Sequence, residues 1–134
     1  MDRKIYMANI YSKFWLTARE DRYFFNDFEQ NLCKYIIKNI KGNRILDVGI
    51  GTGYPFGQYF FDRGYNLSGI DISSLLINKC KNTYPEINAI VGDAENLPFP
   101  DGHFDCSYSF QATQYFPNPL KVVDEMLRVT RPEG

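Results

Sequence analysis

Between residues 43 and 129 the chain alternates short apolar runs with helical stretches, and this alternation limits its fold more than any other feature. The runs are RILDVG, NLSGID, INAIVGD and FDCSYSF, with helices expected near 54–63, 73–83 and 117–129. Strands that alternate with helices of this length imply βαβ crossovers, and hence an α/β fold with a largely parallel sheet covered by helices on both faces. A length of 134 residues allows one domain at most, and 44% apolar content is ordinary for a globular core. Upstream, NDFEQNLCKYIIKNI sets Phe28, Leu32, Tyr35, Ile36 and Ile40 at spacings of three and four, which predicts a helix with that face inward. Lys41 and Gly42 supply its end, and YSKFWLTARE reads as an earlier helix. Residues 1–42 are thus an N-terminal helical segment and 43–134 the sheet-bearing core. Only four strands are visible, and in RVTRPEG Pro132 and Gly134 close a helix that should feed another. The sheet is expected to be incomplete at the C-terminus, as in a fragment or a shortened product.

Charge and composition exclude several classes of function. The formal net charge is −1, with no run of Lys and Arg able to hold a phosphate backbone, so nucleic acid is not an expected partner. No stretch of about 18 apolar residues occurs, and the start MDRKIYMANI lacks the apolar core and cleavage site of a leader, so the reading is cytoplasmic, without a membrane partner. Cys33, Cys80 and Cys106 are odd in number and far apart, which predicts buried thiols rather than a disulfide or a metal site. Aromatic residues make up 16% of the chain and crowd before residue 62, where most should line core or groove.

The first strand runs directly into Gly49, Gly51 and Gly53 in ILDVGIGTGYP. A glycine-rich turn between a strand and a helix allows positive φ and close approach of the backbone to a ligand. In an open parallel sheet such a turn sits at the carboxyl end of the strand, where ligands bind beside the point at which strand order reverses. The pattern is not the dinucleotide fingerprint, because its third glycine position holds Tyr54, and it lacks the Gly-Lys-Ser/Thr ending of a phosphate loop. Pro55 suits the first turn of the next helix. NLSGID ends in Asp71, about 20 residues beyond the glycines, the usual separation for a carboxylate that accepts from ribose hydroxyls. A helix cap is the alternative, with Ser73 and Ser74 as rivals for it. In VGDAENLPFPDGHFD, Asp93 stands at a strand end where it could accept from an exocyclic amine while Ala94 leaves room for a flat ring; a solvated loop acid is the other reading.

In that order and spacing, ILDVGIGTG, GIDIS, VGDAENLPFPDGHFD and EMLRVTRPEG resemble the motifs of class I S-adenosylmethionine-dependent methyltransferases. Within that class the likeness is to the small-molecule branch called methyltransferase type 11, or the ubiquinone-biosynthesis-like group. The resemblance implies a Rossmann-like, doubly wound sheet and methyl transfer from S-adenosylmethionine to a small-molecule acceptor, with S-adenosylhomocysteine as product. It implies that Gly49, Gly51 and Gly53 approach the methionine part of the cofactor, with Asp47 near its amino end. Asp71 would hold the ribose hydroxyls, Ile72 would pack on the adenine, and Asp93 with Ala94 would bind its edge. Ser109 and Phe110 would flank the sulfonium. An N-terminal segment closes over the cofactor in such enzymes, for which Tyr11 and Trp15 are candidates. Tyr11, Gln114 and Tyr115 are the acceptor-side candidates, and no catalytic residue is named. Where many relatives carry histidines before the Pro-Asn-Pro turn, this chain has Gln114 and Tyr115, and its one histidine, His103, is expected to be exposed in a loop. Two alternatives stand beside this reading. One is a non-catalytic fragment or regulatory partner that keeps a partial cofactor site, or one that needs a homodimer or a second chain to complete its sheet; the other is a nicotinamide-dependent oxidoreductase, which Asp71 fits but Tyr54 and the Asp93 segment oppose.

Overall fold

A computed structural model describes Lys13, Leu16 and residues 23–110 and 116–132. The chain runs α1 (Asp27–Asn39), β1 (Arg44–Val48), α2 (Phe56–Phe61), β2 (Asn66–Asp71), α3 (Ser74–Thr83), β3 (Asn88–Val91), β4 (Cys106–Tyr108) and α4 (Pro119–Val129). The four strands form one sheet in the order β3-β2-β1-β4, with every pair parallel. Strand order therefore reverses after β3, when the chain returns to the other side of β1. That leaves a crevice at the carboxyl ends of β1 and β4, the position at which open α/β sheets bind ligands.

The two faces of the sheet bury separate apolar clusters. On one face Ile45, Leu67 and Tyr108 pack with Cys33 of α1, Tyr59 and Phe60 of α2, and Ile77 and Cys80 of α3. On the other, Leu46, Val48 and Ile70 pack with Val122 and Val129 of α4 and with Leu97 and Phe104 of the β3–β4 connection. Alternation along β1 sends Ile45 and Asp47 to the first face and Leu46 and Val48 to the second, as the period of a strand buried on both sides requires.

Three of these four helices begin with a side-chain cap; α2, which follows Pro55, does not. Asn26 and Glu29 form a reciprocal capping box at α1, and the Tyr23 hydroxyl also donates to Glu29, which is why this carboxylate can be buried. Ser73 Oγ accepts from Leu76 N at 3.2 Å to start α3, and Asn118 caps α4 ahead of Pro119 at its first position. Cys33 and Cys80 are fully buried and Cys106 partly so; burial pushes the Cys33 and Cys80 thiols up to about 12.

The inward face of α1 differs from the expected one. Phe28 is 70% and Tyr35 65% exposed, while Glu29 and Cys33 are buried and Ile36, Ile37 and Ile40 pack on the core. Ile36 and Ile40 thus face inward as expected, while packing against the sheet buries Glu29 and Cys33 and leaves Phe28 and Tyr35 outside. At the amino edge of the sheet Phe104 bridges Thr130, the start of pairing beyond β4. There Asp105, buried, accepts from Arg44 N at 3.0 Å and lies 3.1 Å from Arg131 Nε, joining the entry to β1 with the end of α4.

Candidate cofactor site

The turn after β1 has the backbone its composition predicts. Gly49, Gly51 and Gly53 have φ of 83°, 58° and 87°, the left-handed region that side-chain-bearing residues rarely adopt. Their surroundings differ. A Cβ on Gly53 would press within 3.1 Å of the Tyr84 ring and 3.2 Å of Cys80 Sγ, so this glycine lets α3 close on the turn. A Cβ on Gly51 would meet nothing nearer than Leu76 Cδ1 at 3.7 Å, so the backbone there is uncrowded. Beneath the turn, Ile50 lies so close to β2 that a Cβ on Gly69 would come within 2.3 Å of its Cδ1. Gly49 N and Ile50 N both donate to Ile70 O, at 2.8 and 3.1 Å. The turn is thus pressed onto the end of β2.

Asp71, the last residue of β2, ties this assembly together. Its Oδ2 accepts from Gly51 N at 3.0 Å and its Oδ1 from Ser73 N at 2.9 Å. The helix cap belongs to Ser73, so Asp71 is not spent as a cap. Burial raises its carboxyl above the usual value, opposed by the backbone N–H groups of Ser73, Gly51 and Ile72. Each oxygen retains acceptor capacity toward an incoming hydroxyl.

Asp47 lies deeper, on β1, 4% exposed. Its Oδ2 accepts from the Tyr108 hydroxyl at 2.8 Å. Burial lifts this carboxyl to about 7; the Tyr108 hydrogen bond lowers it and the charge of Asp71 raises it further. Burial, followed by the Asp47 charge, holds the Tyr108 hydroxyl well above its ordinary value, so it remains a donor.

Beyond β3, Asp93 Oδ1 accepts from Glu95 N at 2.9 Å in a local turn, and Ala94 packs against the second cluster. The loop that carries them is held from α4. Glu125 Oε1 accepts from Leu97 N at 2.9 Å, and Arg128 donates to Leu97 O, Phe99 O and Asp101 Oδ1 at 2.9, 2.9 and 2.8 Å. At the end of β4 the Ser109 hydroxyl donates to Val48 O at 2.8 Å. Phe110 stacks on Phe56 at 4.4 Å between ring centroids.

The structure therefore ties the glycine turn to Asp71 through hydrogen bonds and sets Asp47 on the adjoining strand, bonded to Tyr108, with Ile72 following Asp71 and Ser109 bonded to the end of β1. Asp93 and Ala94 stand at the end of the neighbouring strand. Tyr11, Trp15, Gln114 and Tyr115 lie outside the described residues. His103 is half-buried rather than exposed, with its ring 4.8 Å from that of Phe104. It precedes β4, at the amino end of the strands, whereas the glycine turn lies at their carboxyl end. Sequence reading passed over Gly69, Tyr108, Glu125 and Arg128. A glycine inside a strand is the one local signal among them, since it marks close approach of another part of the chain.

A family model described as a methyltransferase domain matches residues 46–134. The chain belongs to this family, the class I S-adenosylmethionine-dependent methyltransferases of the type 11 branch. It is similar to a demethylmenaquinone methyltransferase of Paenarthrobacter aurescens, 39% identical over 93 residues that cover 69% of this chain and 36% of that protein. It is also similar to a malonyl-[acyl-carrier protein] O-methyltransferase of Pectobacterium atrosepticum, 33% identical with the same coverage of 69% and 36%. The chain therefore spans well under half the length of these curated relatives. Among solved structures, the PH0226 protein from Pyrococcus horikoshii superposes with a TM-score of 0.71 at 31% identity, over 88% of this chain and 57% of that one. The cofactor of this family of methyltransferases is S-adenosylmethionine. The residues present fit it: an uncrowded glycine backbone at the switch point, with an acceptor carboxylate fastened beside it.

Proposed function

We propose that this chain forms the cofactor-binding part of a methyltransferase that acts on a small-molecule acceptor. The observation that carries the reading is the bond from Gly51 N to Asp71 Oδ2, which joins the glycine turn and the end of β2 into one platform beside the switch point. On this platform Gly49, Gly51 and Gly53 receive the methionine part of the cofactor and Asp47 its amino end. Asp71 accepts from the ribose hydroxyls, Ile72 packs on the adenine, and Asp93 with Ala94 meets the adenine edge. Ser109 and Phe110 flank the sulfonium; Tyr11, Gln114 and Tyr115 stand on the acceptor side, and residues 1–42 cover the site. When bound, S-adenosylmethionine supplies an activated methyl group that a nucleophilic atom of the acceptor takes by in-line displacement. Alignment and exclusion of water are then the protein's main contributions. A net charge of −1 supports a small acceptor over a nucleic acid. The two curated relatives above carry the names of different acceptors, so kinship supports the class of acceptor and not its identity.

Among the described residues no helix is long and apolar enough to cross a membrane, and no group of His, Cys, Asp and Glu could hold a metal ion. Titration calorimetry of the chain with S-adenosylhomocysteine, and with NAD in a parallel cell, tests the proposal. Saturable binding of the first alone is the expected result. Binding of neither by a chain with folded circular dichroism, or of NAD alone, overturns it.

A further inference from the structure

We propose that Tyr108 is a positioning residue for the amino-acid arm of the cofactor: its hydroxyl holds the Asp47 carboxylate in place to receive an ammonium group. The inference rests on the cofactor reading above and assigns a role to a residue on the far side of β1 from the glycine platform's β2 partner. Tyr108 is the register partner of Asp47 across the β1–β4 ladder, on the same face of the sheet, and donates to its Oδ2 at 2.8 Å. Both side chains are buried, at 5% and 4% exposure. The phenol ring is wedged between Phe60, 5.2 Å away, and Phe110, 4.8 Å away. Phe110 is in turn stacked on Phe56. A ring confined on two sides delivers its hydroxyl to one place, so Asp47 is held in one orientation.

The choice of donor matters chemically. Among the described residues, Tyr108 from β4, Asp71 from β2, Cys33 from α1 and Cys80 from α3 bear on Asp47. Two of these are neutral thiols and one is a second carboxylate. An arginine or lysine in place of Tyr108 would neutralise Asp47 within the protein. A phenol instead steadies the carboxylate through a hydrogen bond and leaves its charge for a ligand cation. The remaining oxygen, Oδ1, is the acceptor for that cation. A primary ammonium on a flexible chain is the cationic group that the amino-acid arm of S-adenosylmethionine or S-adenosylhomocysteine carries and that adenosine lacks.

Tyr108→Phe removes one hydroxyl and keeps the ring contacts, and calorimetry with S-adenosylhomocysteine and with adenosine from pH 6 to 8.5 reads the result. The variant is expected to bind S-adenosylhomocysteine about five- to tenfold more weakly while its adenosine affinity is unchanged. The acidic limb of S-adenosylhomocysteine binding moves to higher pH, because the lost hydrogen bond had favoured the ionised form of Asp47. Tyr108→Leu, a second hydroxyl-free variant, must show the same selectivity. In an Asp47→Asn background, Tyr108→Phe should have no further effect on S-adenosylhomocysteine. Equal loss of both ligands, or wild-type binding with an unmoved limb, overturns the role of Tyr108. Asp47→Asn separates the two levels of the argument. If it leaves the preference for S-adenosylhomocysteine over adenosine intact, the placement of Asp47 in the cofactor site fails. If it abolishes the preference and Tyr108→Phe does not, only the positioning role fails.

Discussion

Asp47→Asn should make the ligand-free protein more stable at pH 8 and less well suited to its ligand. The buried carboxyl of Asp47 is lifted from its usual 3.8 to about 7. Over that interval the folded chain holds a proton that the unfolded chain has released, so the contribution of this carboxyl to stability is fully present below pH 4 and is lost as pH rises to 7. The whole interval is worth about 4 kcal/mol, of which about 3 kcal/mol falls between pH 5 and pH 8. Asparagine keeps an acceptor for the Tyr108 hydroxyl and removes the charge, but it buries a new N–H pair at a cost of about 1–3 kcal/mol. Near pH 5 the variant is thus equal to wild type or weaker; at pH 8 it overtakes wild type by about 1–3 kcal/mol. Urea unfolding of both proteins at the two pH values, followed by circular dichroism, measures the difference. A gap between variant and wild type that changes by less than about 1 kcal/mol from pH 5 to pH 8 would refute the assignment of a raised carboxyl at Asp47. If the gap opens as expected, the wild-type carboxylate is a stability cost retained for the ammonium it receives.

Three further substitutions test other parts of the site. Asp71→Ala should lower S-adenosylhomocysteine affinity at least about tenfold, since it removes both the acceptor for ribose hydroxyls and the tie to Gly51 N; unchanged affinity in calorimetry would take Asp71 out of the site. Gly69→Ala drives a methyl group into Ile50 and should cost about 1–3 kcal/mol in urea unfolding, together with a loss of cofactor affinity as the glycine turn is pushed off β2. Arg128→Ala frees the backbone of Leu97 and Phe99 and should speed limited proteolysis within residues 95–102 several-fold; adenosine affinity should fall in parallel, and a cleavage rate equal to wild type would show that the loop is held by other contacts.

The four strands and the three helices after β1 lie within a few residues of where periodicity and turn chemistry put them. So do the positive φ values of the glycine turn and the place of Asp71 at the end of β2. All of these depend on residues close together in the chain: apolar period, capping side chains, glycine, and the length of one βαβ unit. They were legible because local physics decides them. The buried face of α1 was legible only in part: Ile36 and Ile40 pack on the core as expected, but Phe28 and Tyr35 face out while Glu29 and Cys33 are buried, and both choices satisfy the same helical period. Only the sheet against which the helix packs chooses between them.

The sequence by itself determined that this chain builds parallel βαβ units with a ligand platform after the first strand, and four motifs in order named the family. Tertiary structure decided what stands around that platform. The order β3-β2-β1-β4 sets Tyr108 against Asp47 across a separation of 61 residues, and α4 reaches back to hold the Asp93 loop through Glu125 and Arg128. These contacts join residues that no local pattern relates, so they exist only once strand order and helix packing have closed the chain on itself. The charge of Asp47 is of the same kind, since its carboxyl is perturbed by burial, a phenol from β4 and a carboxylate from β2, none of them a neighbour in sequence.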